Sequence, residues 1–238
     1  ENAVFRSGIQ INSLSIVPLA AARTVLTKKQ LDQGVALIHI GSETTGLAIY
    51  LEGRLSHSCI FPFGSNNITK DLVYGLRTSM DIAEKIKLKY GVASKPNLRN
   101  HEKIDLSQFG GKGTVQKTDI EKIIHARLDE MINIVAKEIH KTDQHRQLSS
   151  GVGLTGGGAK MPEIAEFVKS YVKLPVALGK SHKYTGVSEK ITDPGYATAI
   201  RLMLEDMDIP RTHKTNRIEG IFKRSTTGIK SIIKNLMP

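Results

Sequence analysis

The chain has 238 residues, 39% of them hydrophobic and 24% charged, with 34 basic against 23 acidic side chains for a net charge of +11. That length supports one or two domains with a sizeable core, and the composition excludes wholesale disorder. A single cysteine, Cys59, excludes an internal disulfide and points to a reducing compartment, and no apolar run reaches the roughly 18 residues of a spanning helix.

The sequence opens at Glu1 with neither Met nor a basic-then-apolar leader, so its start reads as a fragment boundary. Residues 13–17 predict a short strand and residues 18–26 a helix, with Pro18 suited to the first turn. Residues 1–33 are too little for a domain and are expected to be the remnant of one. Residues 35–40 (Val-Ala-Leu-Ile-His-Ile) predict a buried strand, residues 41–46 a small polar turn, residues 47–51 a second strand, Glu52-Gly53 a tight hairpin, and residues 54–61 a third strand. Helices are predicted over 68–76 and 78–90, the second capped by Thr78 and ended by Gly91. Residues 91–117 are polar and Gly-rich. A long helix over 119–140 follows, with Thr118 and Glu121 as a capping box and Ile120, Ile123, Ile124, Leu128, Met131, Ile132, Val135 and Ile139 as its apolar stripe. A strand over 151–155 leads into Gly156-Gly157-Gly158-Ala159, then a helix over 162–172, a strand over 175–178 and a helix from Asp193-Pro194 to about 204. Residues 206–217 read as a polar linker. The order is α/β, with 91–149 inserted as its own subdomain.

Charge is concentrated at the end. Residues 211–238 hold seven basic side chains and one acid, Glu219, a net +6. On a helical wheel Ile218, Ile221, Phe222, Ile229, Ile232, Ile233 and Leu236 fall within about 60° of one direction, while Lys223, Arg224, Lys230 and Lys234 fall opposite. An apolar stripe with a cationic back is the pattern of an interfacial membrane helix. The same charge could serve nucleic acid, but the stripe argues against that reading.

Two glycine turns carry the remaining chemistry, because glycines after a strand let backbone N–H groups approach a phosphate or nucleoside. Between them a predicted helix places Glu84 and Lys87 three apart on one face, where the plain alternative is a solvated ion pair.

Residues 78–91 (Thr-Ser-Met-Asp-Ile-Ala-Glu-Lys-Ile-Lys-Leu-Lys-Tyr-Gly), Phe63-Gly64, residues 68–72, residues 154–160 (Leu-Thr-Gly-Gly-Gly-Ala-Lys), residues 184–187 and residues 194–199 resemble FtsA, the actin-related bacterial cell-division family. The resemblance implies the second domain of an actin-like (ribonuclease H-like) ATPase with an inserted subdomain and a C-terminal amphipathic helix. It implies that residues 34–81 and 150–205 form the nucleotide-side subdomain, residues 82–149 the FtsZ-contacting subdomain, and residues 218–238 the membrane-targeting helix. ATP with Mg is the implied cofactor, with Gly41, Thr44 and Thr45 at its phosphates, Glu84 and Lys87 at the ribose, and Gly156, Gly157 and Gly158 against the nucleoside. The first turn departs from the family, which reads Asp-Ile-Gly-Gly-Gly-Thr-Thr-Asp where this chain has His39-Ile40-Gly41-Ser42-Glu43-Thr44-Thr45-Gly46. The acid that helps hold Mg has become His39, and Glu43 sets a carboxylate against the phosphates. Nucleotide binding is therefore expected to be weakened or lost, with no catalytic residue and no protein-held metal.

On the long helix Arg127, Glu130 and Asn133 share a face, and the resemblance makes that face the site for the acidic, apolar C-terminal peptide of FtsZ. The functional reading is an adaptor between FtsZ filaments and the cytoplasmic face of the inner membrane at the division site, able to self-associate and not directed at nucleic acid. The rivals are an ATPase or sugar-kinase-type enzyme of the same superfold and the actin-like scaffold of a pilus machine.

Overall fold

A strand apolar at every position but one belongs in the middle of a sheet covered on both faces. In the computed structural model of this chain, β1 (Val35–Ile40) occupies that place. It pairs antiparallel with β2 (Thr45–Leu51), which returns through Glu52-Gly53 into the edge strand β3 (Arg54–Phe61). Both hairpin residues have positive φ, 52° and 75°, the twist that two-residue hairpins favour. β4 (Lys103–Asp105) and β5 (Thr114–Gln116) form a separate two-stranded ladder. β6 (Val152–Thr155) and β7 (Val176–Leu178) complete the main sheet in parallel register, in the order β3-β2-β1-β6-β7. The structure describes residues 2–11, 14–99, 101–142, 144–180 and 193–208.

The two-residue period of β1 divides the core. Ala36, Ile38 and Ile40 pack toward α4 (Ser65–Leu76), α5 (Met80–Tyr90), α6 (Lys117–Lys141) and α7 (Ile164–Val172). Val35 and Leu37 pack toward Ala21, Ala22 and Val25 of α2 (Val17–Val25). The stripe of α6 is buried as its spacing predicts, from Ile120 to Ile139, each large side chain contributing roughly 2 kcal/mol of apolar burial. Two short helices, α1 (Asn2–Arg6) and α3 (Lys28–Gln33), were not legible in the sequence; Thr27 and Gln30 cap α3 reciprocally. Residues up to Leu202 form one unit and residues 203–238 another, of which only the end of α8 (Ala197–Asp208) is described.

Several boundaries differ from expectation for local reasons. Residues 14–16 carry no strand, because the Ile16 carbonyl already accepts from Leu19 and Ala20 as α2 begins. Thr78 does not cap α5. Its N–H donates to the Val73 carbonyl and closes α4, and Ser79 is the cap residue. The capping box at Thr118 and Glu121 is absent, because β5 runs straight into α6 and makes Gln116 the cap. Glu121 instead accepts from the Asn97 N–H at 2.9 Å. Residues 206–208 continue α8 where a linker was expected.

Candidate functional site

β1 and β6 run parallel, with His39 beside Thr155, so the two glycine turns leave the sheet at the same end. In α/β sheets that end, beyond the strand C-termini, is where ligands bind. Here the turns and the helices α4 and α5 enclose a cleft of about 550 Å³, lined by Ser42, Ser65, Asn66, Thr69, Met80, Asp81, Glu84, Lys87, Leu88, Gly157, Gly158, Lys160, Met161 and Pro162.

The three glycines of the second turn play different parts. Gly156 has φ of 91°, and a Cβ there would stand 2.4 Å from the Ile40 carbonyl oxygen. A Cβ at Gly158 would stand 2.3 Å from Ile40 Cγ2. Both let the turn lie directly on β1. At Gly157 a Cβ would meet nothing within 4 Å, so this residue floors the open cleft.

Glu84 and Lys87 reach the cleft from α5, but not as a solvated pair. Lys87 is only 7% exposed. Its amine donates to Glu84 Oε2 at 2.7 Å, Thr69 Oγ1 at 2.8 Å and the Ser65 carbonyl at 3.2 Å, which uses all three of its protons. Thr69 in turn donates to Glu84 Oε2 at 2.6 Å. Partial burial opposes ionisation of Glu84, but the hydrogen bonds from Lys87 and Thr69 and the Lys87 charge outweigh it and hold the carboxyl below its ordinary value. Glu84 Oε1 has no partner among the described residues and is the acceptor this cluster offers the cleft. Lys87 is thus the brace that fixes Glu84, with no donor left for a ligand.

The first turn is closed from within. The Gly41 N–H donates to the Thr44 carbonyl at 2.9 Å. The Ser65 and Asn66 N–H groups, at the start of α4, donate to the carbonyls of Gly41 and Ser42 at 2.9 and 2.8 Å. The buried Thr45 hydroxyl donates to the Phe63 carbonyl at 2.9 Å. Of this turn only Ser42 lines the cleft; Gly41, Thr44 and Thr45 do not. Glu43 lies exposed and accepts from the Asn66 side chain and, at 3.3 Å, from Lys70, and these hydrogen bonds keep its carboxyl below the ordinary value. His39 lies under the turn, its Nε2 3.7 Å from where a Cβ at Gly41 would stand. Burial pushes its pKa down, so the ring is neutral near pH 7, and its Nδ1 has no partner among the described residues. Across the cleft Lys160 is paired with Asp193 at 2.7 Å. The residues present therefore fit the sugar end of a nucleotide at Glu84 and Gly157. At the position of the carboxylate expected to help hold Mg stands a neutral imidazole, and the first turn carries an exposed carboxylate, Glu43.

The face on which a partner site was expected lies on α6. Arg127 is clamped by Asp71 of α4, with Nε to Oδ2 at 2.5 Å and Nη2 to Oδ1 at 2.9 Å, and is joined by Glu130 through Nη1 at 2.6 Å. The hydrogen bond it donates to Asp71 raises the Arg127 pKa, and the cation is permanent. Asp71 is 29% exposed and Glu130 59%, and Asn133 is half-buried one turn further along. The tail residues Ile221, Phe222, Ile229, Lys230, Ile232, Ile233, Lys234 and Leu236 lie outside the described residues. No described helix is long and apolar enough to cross a membrane.

Sequence reasoning missed Thr69, Asp71 and Lys160. Thr69 left a signal, as a polar residue adjoining the buried stripe of Ile68, Leu72 and Leu76. Asp71 left none, being 56 residues from Arg127.

Comparison with known proteins fits this geometry. The family model described as "Cell division protein FtsA" matches residues 36–200. A protein named "Cell division protein FtsA" from Neisseria meningitidis serogroup B is 36% identical over 231 residues, covering 96% of this chain and 54% of that protein. Its namesake in Escherichia coli K12 is 28% identical over 98% of this chain and 57% of its own length. The chain thus spans about half the length of the curated relatives it matches. Among solved structures, MreB 5 of Spiroplasma citri bound to AMPPNP superposes with a TM-score of 0.65 at 18% identity, over 87% of this chain and 62% of that one. A chain of the PilM-PilN type IV pilus biogenesis complex gives 0.65 at 16% identity, over 85% and 55%. At such identities the likeness shows the fold, which is that of the actin-like ATPases.

Proposed function

This chain belongs to the FtsA family, and from that premise we propose that it is a cell-division adaptor, tying FtsZ filaments to the cytoplasmic face of the bacterial membrane and helping to assemble the division ring. The observation that carries the reading is the match to division proteins along nearly the whole chain. Residues 34–81 and 150–205 are its nucleotide-facing part and residues 82–149 its FtsZ-facing part. The partners are the FtsZ C-terminal peptide, an anionic lipid surface and other copies of the chain; nucleic acid is not among them. Arg127 supports the FtsZ face, because Asp71 fixes its guanidinium while Glu130, more exposed and held by one contact, is the partner an incoming carboxylate displaces. The basic amphipathic tail supports the membrane end: four cations near an anionic surface contribute roughly 1 kcal/mol each, added to the burial of the isoleucine stripe. No catalytic step is assigned. AMPPNP in the MreB 5 structure supports reading the cleft as nucleotide-facing.

One cosedimentation experiment tests both ends. With anionic vesicles and FtsZ filaments, the wild-type chain should bring FtsZ into the vesicle pellet. Arg127→Glu should still pellet but leave FtsZ behind, with peptide affinity lower on the order of thirtyfold. Ile233→Glu should remove both from the pellet, because a carboxylate would enter the apolar stripe. The adaptor reading fails if wild type carries no FtsZ to vesicles, or if Ile233→Glu pellets as well as wild type.

A further inference from the structure

The excess charge of the chain falls in two places. Residues 211–238 carry +6 of the total +11. Residues 82–117 hold eight basic side chains against three acids, Glu84, Glu102 and Asp105, for +5, and the rest of the chain nets zero. The three acids of this stretch are engaged. Glu84 is paired with Lys87, Glu102 is paired with Lys117 at 2.8 Å, and Asp105 accepts from the Ser107 N–H and hydroxyl at 2.9 and 2.7 Å. Lys85, Lys89, Lys95, Arg99, Lys103 and Lys112 are exposed, and none pairs with a carboxylate among the described residues. Three of them gather around α5. Lys85 and Lys89 are one turn apart on it, and the Lys89 amine lies 5.2 Å from the centre of the Phe109 ring and 5.3 Å from that of Tyr90. A Cβ at Gly111 would stand 3.2 Å from Ile82 Cδ1, one turn before Lys85, which sets Lys112 beside the same helix.

The α6 face has the opposite balance. Asp71, Arg127 and Glu130 together net −1, so that cluster offers an incoming carboxylate geometry but no attraction at a distance. We infer that an acidic polypeptide is captured by the basic surface of residues 82–117, centred on Lys85, Lys89 and Lys112, which steers it onto the chain. The inference rests on the FtsZ-facing reading of residues 82–149 and adds to it the surface that governs how fast the partner arrives. Lysines without an internal carboxylate repel one another, and an acidic segment relieves that repulsion. Their field reaches about 10 Å in ordinary buffer and further in dilute salt, so it raises the encounter rate before any contact forms. A polypeptide fits better than a nucleic acid, because Tyr90 and Phe109 hold Lys89 over their rings instead of standing clear as a platform for stacked bases. The lysines and α6 belong to one folded unit, and α5 packs against α6, so a segment held at the lysines stays tethered beside the helix that carries Arg127.

The test is stopped-flow association of the 238-residue chain with a labelled FtsZ C-terminal peptide, from about 50 to about 300 mM salt. Wild type should associate fast in dilute salt and slow down as salt rises. Lys85→Gln, Lys89→Gln and Lys112→Gln together should slow association about tenfold at low salt and flatten its salt dependence, with dissociation changed by less than about twofold. Lys28→Gln, Lys29→Gln and Lys173→Gln together remove the same charge from exposed positions elsewhere, and should leave the association rate within about twofold of wild type. Circular dichroism checks that both triple variants keep the fold. Lys85→Gln with Lys112→Gln, which spares the ring contact, should show a smaller effect of the same sign. An unchanged association rate and salt dependence in the first triple variant, or an equal loss in the second, would overturn the inference while leaving the FtsZ-facing reading in place. So would a first triple variant that loses only binding to single-stranded DNA or to anionic vesicles. If the wild-type chain binds no peptide at any salt, the inference and the FtsZ-facing reading fall together.

Discussion

Two turns leave adjacent strands at one end of the sheet, and both are rich in small residues, yet the structure treats them in opposite ways. The turn after β6 is held from beneath, by Gly156 and Gly158 lying on Ile40, and so leaves Gly157 facing outward. The turn after β1 is held by α4, whose Ser65 and Asn66 N–H groups donate to the Gly41 and Ser42 carbonyls while the Asn66 side chain donates to Glu43. Composition does not separate the two cases. What separates them is which atoms fix the loop: close packing of Gly156 and Gly158 on Ile40 fixes the second, and hydrogen bonds from the start of α4 to its carbonyls fix the first.

The largest effect should come from removing the packing that fixes the second turn. Gly156→Ala sets a methyl 2.4 Å from a strand carbonyl at a φ of 91°, so both the clash and the backbone conformation oppose it. It should cost about 3 kcal/mol in urea unfolding, from backbone strain plus displacement of β1. A cost below about 1 kcal/mol would mean that the turn does not rest on β1, and the contrast between the loops would collapse.

A smaller effect, visible through pH, probes the first turn. His39 has its pKa lowered by burial, so the unfolded chain binds this proton more readily than the folded one. Stability should therefore be complete above the ordinary imidazole value of about 6.5 and decline as pH falls from there toward the folded value. His39→Leu should flatten that decline and remove the buried Nδ1 left without a partner among the described residues. Thermal melts at several pH values measure it. An unchanged slope in the variant would show that His39 is not the buried neutral group beneath the turn.

The division of the core was legible in the sequence because it depends on periodicity. The apolar run of β1, with its two parities, and the stripe of α6 both follow from spacing alone. The site was legible only in its residue types. Three-residue spacing places Glu84 and Lys87 on one face, but it does not give depth, and depth makes Lys87 a buried brace for Glu84 rather than a second contact for the expected ribose. Nor could the sequence show that the first N–H groups of α4 belong to the carbonyls of the preceding turn, since every residue carries the same donor and acceptor. Asp71 and Arg127 meet because α4 and α6 pack together, a fact that no local pattern encodes.

The smallest expected effect on stability is also the sharpest test of the contrast. Gly157 lies one residue from Gly156, yet its Cβ position is open for 4 Å around. Its φ is not positive, so alanine can adopt the same backbone without strain. Gly157→Ala also restricts the unfolded chain, an effect that favours the folded state. The variant should therefore match or exceed wild type in urea unfolding, by no more than about 1 kcal/mol. The added methyl stands in the cleft floor rather than in the protein, so its penalty should appear in ligand affinity instead. Nucleoside binding should weaken by about tenfold through lost contact at the ring face, with Glu84 and its brace untouched. Equal destabilisation by Gly156→Ala and Gly157→Ala would show that both glycines are packed, leaving no open floor in the second turn and no basis for separating it from the first.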